Sequence, residues 1–210
     1  MVLWKCHRRR FWRCLNWIRL FLELLVRNIF DKRLLDIEVK GIEKDMNKKQ
    51  DVMNIGDKFP DLLGIDQEGN EVKLSEFPGK KFIIYFYPKD ATSGCTMEAV
   101  SLRDNYDAFL KMGYQIIGVN NGTVESHKKF ALKQDLPFPI IADTELRICE
   151  LAGVWQLKKM CGKEYMGIVR TTFVCDHDGT VTDVIEKVQT KTAADQLFKL
   201  LEGRESLNPA

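Results

Sequence analysis

One cysteine, Cys95, stands in the stretch PKDATSGCT at residues 88–96, directly after the apolar run KFIIYFY. Its neighbours suit a thiol that reacts. Pro88 has no N–H, so it cannot prolong a strand ladder and can roof a pocket against water. Thr92, three residues before the cysteine, is spaced to aim its hydroxyl at the sulfur or at a bound oxygen. Gly94 lets backbone N–H groups come close to a substrate. A free thiol with a pKa of about 8.5 is only a few per cent thiolate at pH 7. The first turn of a helix, with unpaired N–H groups and the positive end of the dipole, favours the anion. Together these residues describe a thiolate held beside a small, oxygen-rich molecule. Alone, they also fit a second reading: an inert cysteine buried at a helix start.

The elements that must hold this turn follow from periodicity. KFIIYFY, residues 81–87, is the continuous apolar run of a central strand buried on both faces. Ala99, Leu102, Tyr106, Phe109 and Leu110 recur at helical spacing over residues 95–111. LLGIDQEGNEVKL places two short strands around a turn at Glu68, Gly69 and Asn70. YQIIGVN is a second buried strand, and Thr123 caps a helix running to about Lys133. FPIIAD is a short strand, and ELRICELAG a short helix stopped by Gly153. TTFVCDHDGTVTDVI is a hairpin, and Thr192 with Asp195 opens a last helix ending at Gly203. The order predicts an α/β fold, a mixed central sheet flanked by helices with an N-terminal β-hairpin. In such sheets, sites form at the carboxyl ends of strands, where Pro88 to Cys95 fall.

Composition narrows the class. The 210 residues are 45% hydrophobic and 30% charged, as in a soluble globular domain with an appendage. Residues 1–52 hold 13 basic and 7 acidic side chains; the remainder holds 19 and 23, with no basic stripe, so nucleic-acid binding is not indicated. The cysteines Cys6, Cys14, Cys95, Cys149, Cys161 and Cys175 form no CxxC, which removes zinc ligation and a dithiol motif and points to a reducing cytoplasm. The three histidines stand far apart, so no metal is expected. Residues 1–52 read as a basic, aromatic extension and linker, and 53–210 as the functional domain. Arg19, Glu23 and Arg27 interrupt the extension's apolar stretch and exclude a spanning helix. The extension is read as translated sequence ahead of a start at Met53, with membrane contact of residues 1–30 as the lesser alternative.

P-x-x-x-T-x-x-C, here Pro88, Thr92 and Cys95, after a central strand resembles the active-site motif of peroxiredoxins. YFYPKDATSGCT, LRDNY, SHKKFA, LPFPIIAD, GVW and KKMCGKEYMGIVRTTFVCDHDG resemble its peroxiredoxin Q, or bacterioferritin-comigratory-protein, group over about residues 53–203. The resemblance implies a thioredoxin-like fold and reduction of hydrogen peroxide and organic hydroperoxides through a cysteine sulfenic acid, without metal or organic cofactor. It also implies that Arg170 completes the site, favouring the thiolate and binding peroxide oxygens together with Thr92 and Gly94.

The chain departs from that family at one position. Many members carry a resolving cysteine five residues after the reactive one; here Val100 stands there. Cys161, in a polar loop, and then Cys149 are the remaining candidates, whereas Cys175 is read as core packing. The expectation is a one-cysteine peroxidase, monomeric or weakly dimeric, served by thioredoxin or another external thiol. The alternative is a peroxide-sensing or membrane-tethered module without turnover. Glu98 occupies the position of the second cysteine of a CxxC, which argues against a disulfide oxidoreductase.

Overall fold

The computed structural model describes residues 52–160 and 162–205. The run at residue 81 forms β3 (Lys81–Phe86), the middle of a five-stranded sheet. β4 (Tyr114–Asn120) lies parallel on one side of it, followed by β5 (Ile140–Ala142), also parallel. β8 (Thr171–Cys175) lies antiparallel on its other side, and β9 (Val181–Ile185) closes that edge. β1 (Leu62–Ile65) and β2 (Glu71–Lys73) make the expected N-terminal hairpin.

Side-chain alternation along β3 divides the core in two. Phe82, Ile84 and Phe86 join Phe59, Phe173, Cys175, Ile148 and Cys149 on one face. Ile83, Tyr85 and Tyr87 join Cys95, Ala99, Leu102, Phe130 and Leu197 on the other. Each fully buried large apolar side chain stabilises the fold by about 2 kcal/mol.

The helices are α1 (Ser93–Asp104), α2 (Tyr106–Lys111), α3 (Val124–Gln134), α4 (Arg147–Leu151) and α5 (Ala193–Glu205). Thr123 caps α3 as expected, its hydroxyl accepting from the Ser126 N–H. Three expectations are corrected. The helical run over 95–111 is two helices, because the Asn105 amide donates to the Ser101 carbonyl (2.9 Å) and competes with the backbone ladder. The last helix runs through Gly203 to Glu205, anchored by buried Leu197 and Leu201. A hairpin, β6 (Trp155–Met160) and β7 (Lys163–Ile168), fills a stretch to which periodicity assigned no element. Its lysines and exposed Leu157, Tyr165 and Met166 hide the alternation, since the arm forms its own two-stranded sheet. The expectations for the extension and for Cys161 fall on residues outside those described. Among the described residues, no helix is long and apolar enough to cross a membrane.

Candidate active site

β3 ends at Phe86, and the chain reaches α1 through Tyr87 to Thr92. Thr92 is the N-cap residue of α1, with extended backbone, and its carbonyl accepts from the Thr96 N–H (2.8 Å). Cys95 is therefore in the first helical turn, as its sequence context predicts. It is buried on the α1 face of the sheet.

Arg170 precedes β8, next to β3 at the same end of the sheet. Its Nη2 donates to the Cys95 sulfur at 3.2 Å. Its Nη1 donates to Glu98 Oε2, so one guanidinium bridges thiol and carboxylate. Gly94 lies against this group; a Cβ there would stand 3.5 Å from Arg170 Nη2. Pro88 is half-buried at the start of the connecting loop. Thr92 lies in the same loop. Its hydroxyl donates to the Lys89 carbonyl (3.2 Å), three residues back in a loop turned by the left-handed Ala91 (φ 56°). The hydroxyl oxygen keeps its acceptor lone pairs.

Sequence reasoning gave Glu98 no part in the site. It is fully buried, and Oε1 has no hydrogen-bond partner. Burial pushes its carboxyl up to about 7, and the charge and hydrogen bond of Arg170 only partly offset that. The available signal was a carboxylate one turn after Cys95, in line with Ala99 and Leu102 on an apolar stripe: a buried acid needs a buried partner. Lys158 on β6 was also missed. Its ammonium donates to the Ile168 carbonyl (3.0 Å), and burial, then the nearby Arg170 charge, push it down.

The other described cysteines lie elsewhere. Cys149 and Cys175 are buried on the opposite sheet face from Cys95. Burial, then the Asp143 charge, push the Cys149 thiol up; burial, then the Asp178 charge, push up Cys175. Cys149, a candidate resolving thiol, therefore lies on the other face of the sheet from Cys95.

A buried thiol at a helix start is thus bonded by a guanidinium from the residue that precedes β8. The AhpC/TSA family model matches residues 55–184. The chain belongs to that family. Peroxiredoxin Bcp of Bacillus subtilis is 43% identical over 150 residues, covering 71% of this chain and 96% of that protein. Peroxiredoxin Bcp of Escherichia coli K12 is 37% identical over the same length, with the same coverage. Among solved structures, a peroxiredoxin Q of Xanthomonas campestris is 32% identical over 69% of this chain and 98% of that one, with a TM-score of 0.62. The peroxidoxin BcpB of Mycobacterium tuberculosis, 31% identical, covers 72% and 97% with a TM-score of 0.63. This peroxiredoxin has the thioredoxin-like fold of those neighbours and is a thiol-dependent peroxidase, an oxidoreductase whose substrates are a peroxide and a thiol.

Proposed function

We propose that this peroxiredoxin reduces hydrogen peroxide and organic hydroperoxides by a one-cysteine route, with Cys95 as nucleophile and an external thiol, thioredoxin foremost, as reductant. The observation that carries the reading is the Arg170 donor on the Cys95 sulfur. A cation at that distance favours the thiolate and leaves a hydrogen-bonding edge beside the reacting atom. A Xanthomonas campestris bacterioferritin comigratory protein of the same fold, 32% identical, is described by its alkyl peroxide reduction activity.

The Cys95 thiolate attacks the distal peroxide oxygen, and the O–O bond breaks. The electron pair stays on the proximal oxygen, which takes a proton and leaves as water or an alcohol; Cys95 becomes a sulfenic acid. Arg170 and the first-turn amides near Gly94 stabilise the negative charge as it moves. The Thr92 hydroxyl oxygen accepts a hydrogen bond from the peroxide O–H, solvent supplies the proton that the leaving oxygen takes, and Pro88 limits water access. A first external thiol displaces water from the sulfenic acid to give a mixed disulfide; a second releases the Cys95 thiolate and leaves with the first as a disulfide. The one-cysteine part rests on Val100 at the usual resolving position and on the opposite-face placement of Cys149 and Cys175. The peroxidase unit is assigned to residues 53–210, its free thiols suit a reducing cytoplasm, and it is expected to be a monomer or weak dimer.

An NADPH-coupled assay with thioredoxin, glutaredoxin and glutathione supplied separately identifies the reductant. After one equivalent of peroxide, a dimedone-type reagent should trap Cys95 sulfenate as the main product in non-reducing mass analysis. A near-quantitative intramolecular disulfide, with Cys161 the first suspect, sinks the one-cysteine reading and leaves the peroxidase standing.

A further inference from the structure

The loop from β3 to α1 is tied down by contacts separate from those of Arg170. Asp90, almost fully buried, accepts three hydrogen bonds. The Tyr87 hydroxyl donates to its Oδ1 (2.7 Å), and the Ser126 hydroxyl (2.5 Å) and His127 Nδ1 (2.8 Å) both meet its Oδ2. Ser126 and His127 sit in the first turn of α3, so the cluster joins the catalytic loop to a second helix. His127 is fully buried, and its Nε2 has no hydrogen-bond partner. A carboxylate only accepts, so the proton facing it is on Nδ1. Burial works against the Asp90 carboxylate, but the bonds from His127, Ser126 and Tyr87 outweigh it and hold its carboxyl below the ordinary value. The pocket is shaped for the ring: a Cβ on Gly122 would come within 2.8 Å of His127 Cε1.

The next residue shows what the tether does. Ala91 has φ 56°, a left-handed conformation that costs a non-glycine residue about 1–2 kcal/mol. Such strain persists only where both sides are held. Asp90 is held on one side, and on the other Thr92 caps α1 three residues before Cys95. We propose that Asp90, gripped by His127, Ser126 and Tyr87, is a positioning residue. It holds Ala91 in its strained turn and so sets where the Thr92 hydroxyl stands relative to the Cys95 sulfur. None of the four need touch the peroxide. They act through the loop, whereas Arg170 acts directly on the sulfur from the β8 side.

This inference rests on Cys95 being the peroxidatic residue, and the two ideas fail differently in one experiment. His127→Leu keeps apolar packing and removes the Nδ1 donor. His127→Asn restores a donor at the Nδ1 position, and His127→Gln places one nearer Nε2. For each variant, single-turnover peroxide reduction and alkylation of Cys95 by a small neutral reagent are measured across pH, with thermal unfolding alongside. His127→Leu and His127→Gln should slow peroxide reduction by about 10–100-fold, the order expected for an ångström-scale misplacement. The alkylation profile, governed by Arg170, should stay within about threefold of the parent, and His127→Asn should recover most of the peroxide rate. Equal losses in Leu and Asn variants, unchanged peroxide rates, or alkylation falling in step with peroxide reduction would each overturn the proposal. Ser126→Ala and Tyr87→Phe each remove one bond and keep the packing. They should show the same split at about 3–10-fold, and decide the matter if His127→Leu does not fold. Loss of Cys95 as the oxidised residue in the parent would instead remove the functional reading beneath it.

Discussion

Two faces of one sheet carry three buried thiols with different environments. Cys95 is 1% exposed, and Cys149 and Cys175 are 0% exposed, so burial does not tell them apart. On the α1 face, Cys95 lies in a helical first turn and receives a guanidinium N–H. On the other face, Cys149 sits beside the Asp143 carboxylate, which accepts from its own backbone N–H at 2.7 Å. Burial first, then that negative charge, drive the Cys149 thiol up, and burial first, then Asp178, do the same to Cys175. Desolvation penalises every thiolate; a nearby cation opposes that penalty, and a nearby carboxylate adds to it.

The largest expected effect tests that comparison directly. Cys95→Ser should lower peroxide consumption by at least about 10³-fold with the fold retained, the scale of losing a nucleophile. Cys149→Ala and Cys175→Ala should keep most of the activity and lose about 1 kcal/mol of stability each by denaturant unfolding. Residual turnover of more than a few per cent in Cys95→Ser would move the chemistry to another thiol. Arg170→Ala comes next. Removing the cation disfavours the anion, so Cys95 alkylation should shift to higher pH, and the peroxide step should slow by about 10²-fold. Stopped-flow reduction and an alkylation pH profile that both match the parent would take Arg170 out of the site.

The same contrast shows what the sequence made legible. The apolar run of β3 announces a strand covered on both faces, and the Pro-Thr-Gly-Cys turn after it can be placed because strand and helix ends are chemically marked. Arg170 entered only through resemblance, since it stands 75 residues from Cys95 and no local pattern links them. Glu98 went unread because its meaning depends on a partner supplied by another strand. Asp90 and His127 were missed for the same reason, being brought together from residues 37 apart. The β6–β7 arm was missed because paired Lys158 and Lys159 and exposed Leu157, Tyr165 and Met166 break any inward–outward alternation along its strands. Local chemistry survives in one dimension; pairing across the fold does not.

Glu98 sharpens the comparison from the anionic side. With its carboxyl pushed up to about 7, mainly by burial, it competes with the sulfur for Arg170 once ionised. Glu98→Gln removes that competitor, so Cys95 alkylation should move to lower pH. A move to higher pH would mean that the carboxylate serves chiefly to aim the guanidinium. Stability gives a second readout. A carboxyl whose pKa rises on folding from 4.5 to about 7 binds more protons in the native state. Its contribution is complete below pH 4.5 and lost as pH rises to about 7. Denaturant unfolding should show this decline in the parent and lack it in Glu98→Gln.

The smallest effect on the resting enzyme is expected from placing a further thiol on the helix of Cys95 itself. Val100 is half-buried in a groove lined by Met97, Ser101, Asp104, Lys191 and Asp195. Five residues along an intact helix put two Cα atoms roughly 8–9 Å apart and about 140° around the axis, beyond the reach of a disulfide. Val100→Cys should therefore leave the peroxide step within about twofold of the parent, because Cys95, Arg170 and Glu98 are untouched. Oxidation changes the balance. A sulfenic acid is neutral, so oxidised Cys95 loses the attraction that holds the thiolate to Arg170, and the first turn of α1 is held less firmly. The α1–α5 contact resists opening at one known point, where the Ala194 N–H donates to the Ser101 hydroxyl (3.2 Å). A disulfide between residues 95 and 100, read as loss of the dimedone adduct and resistance to over-oxidation, is the expected outcome. Persistence of the sulfenate in Val100→Cys would show that α1 stays wound after Cys95 is oxidised. The external-thiol route would then be fixed by the packing of the helix as well as by the valine.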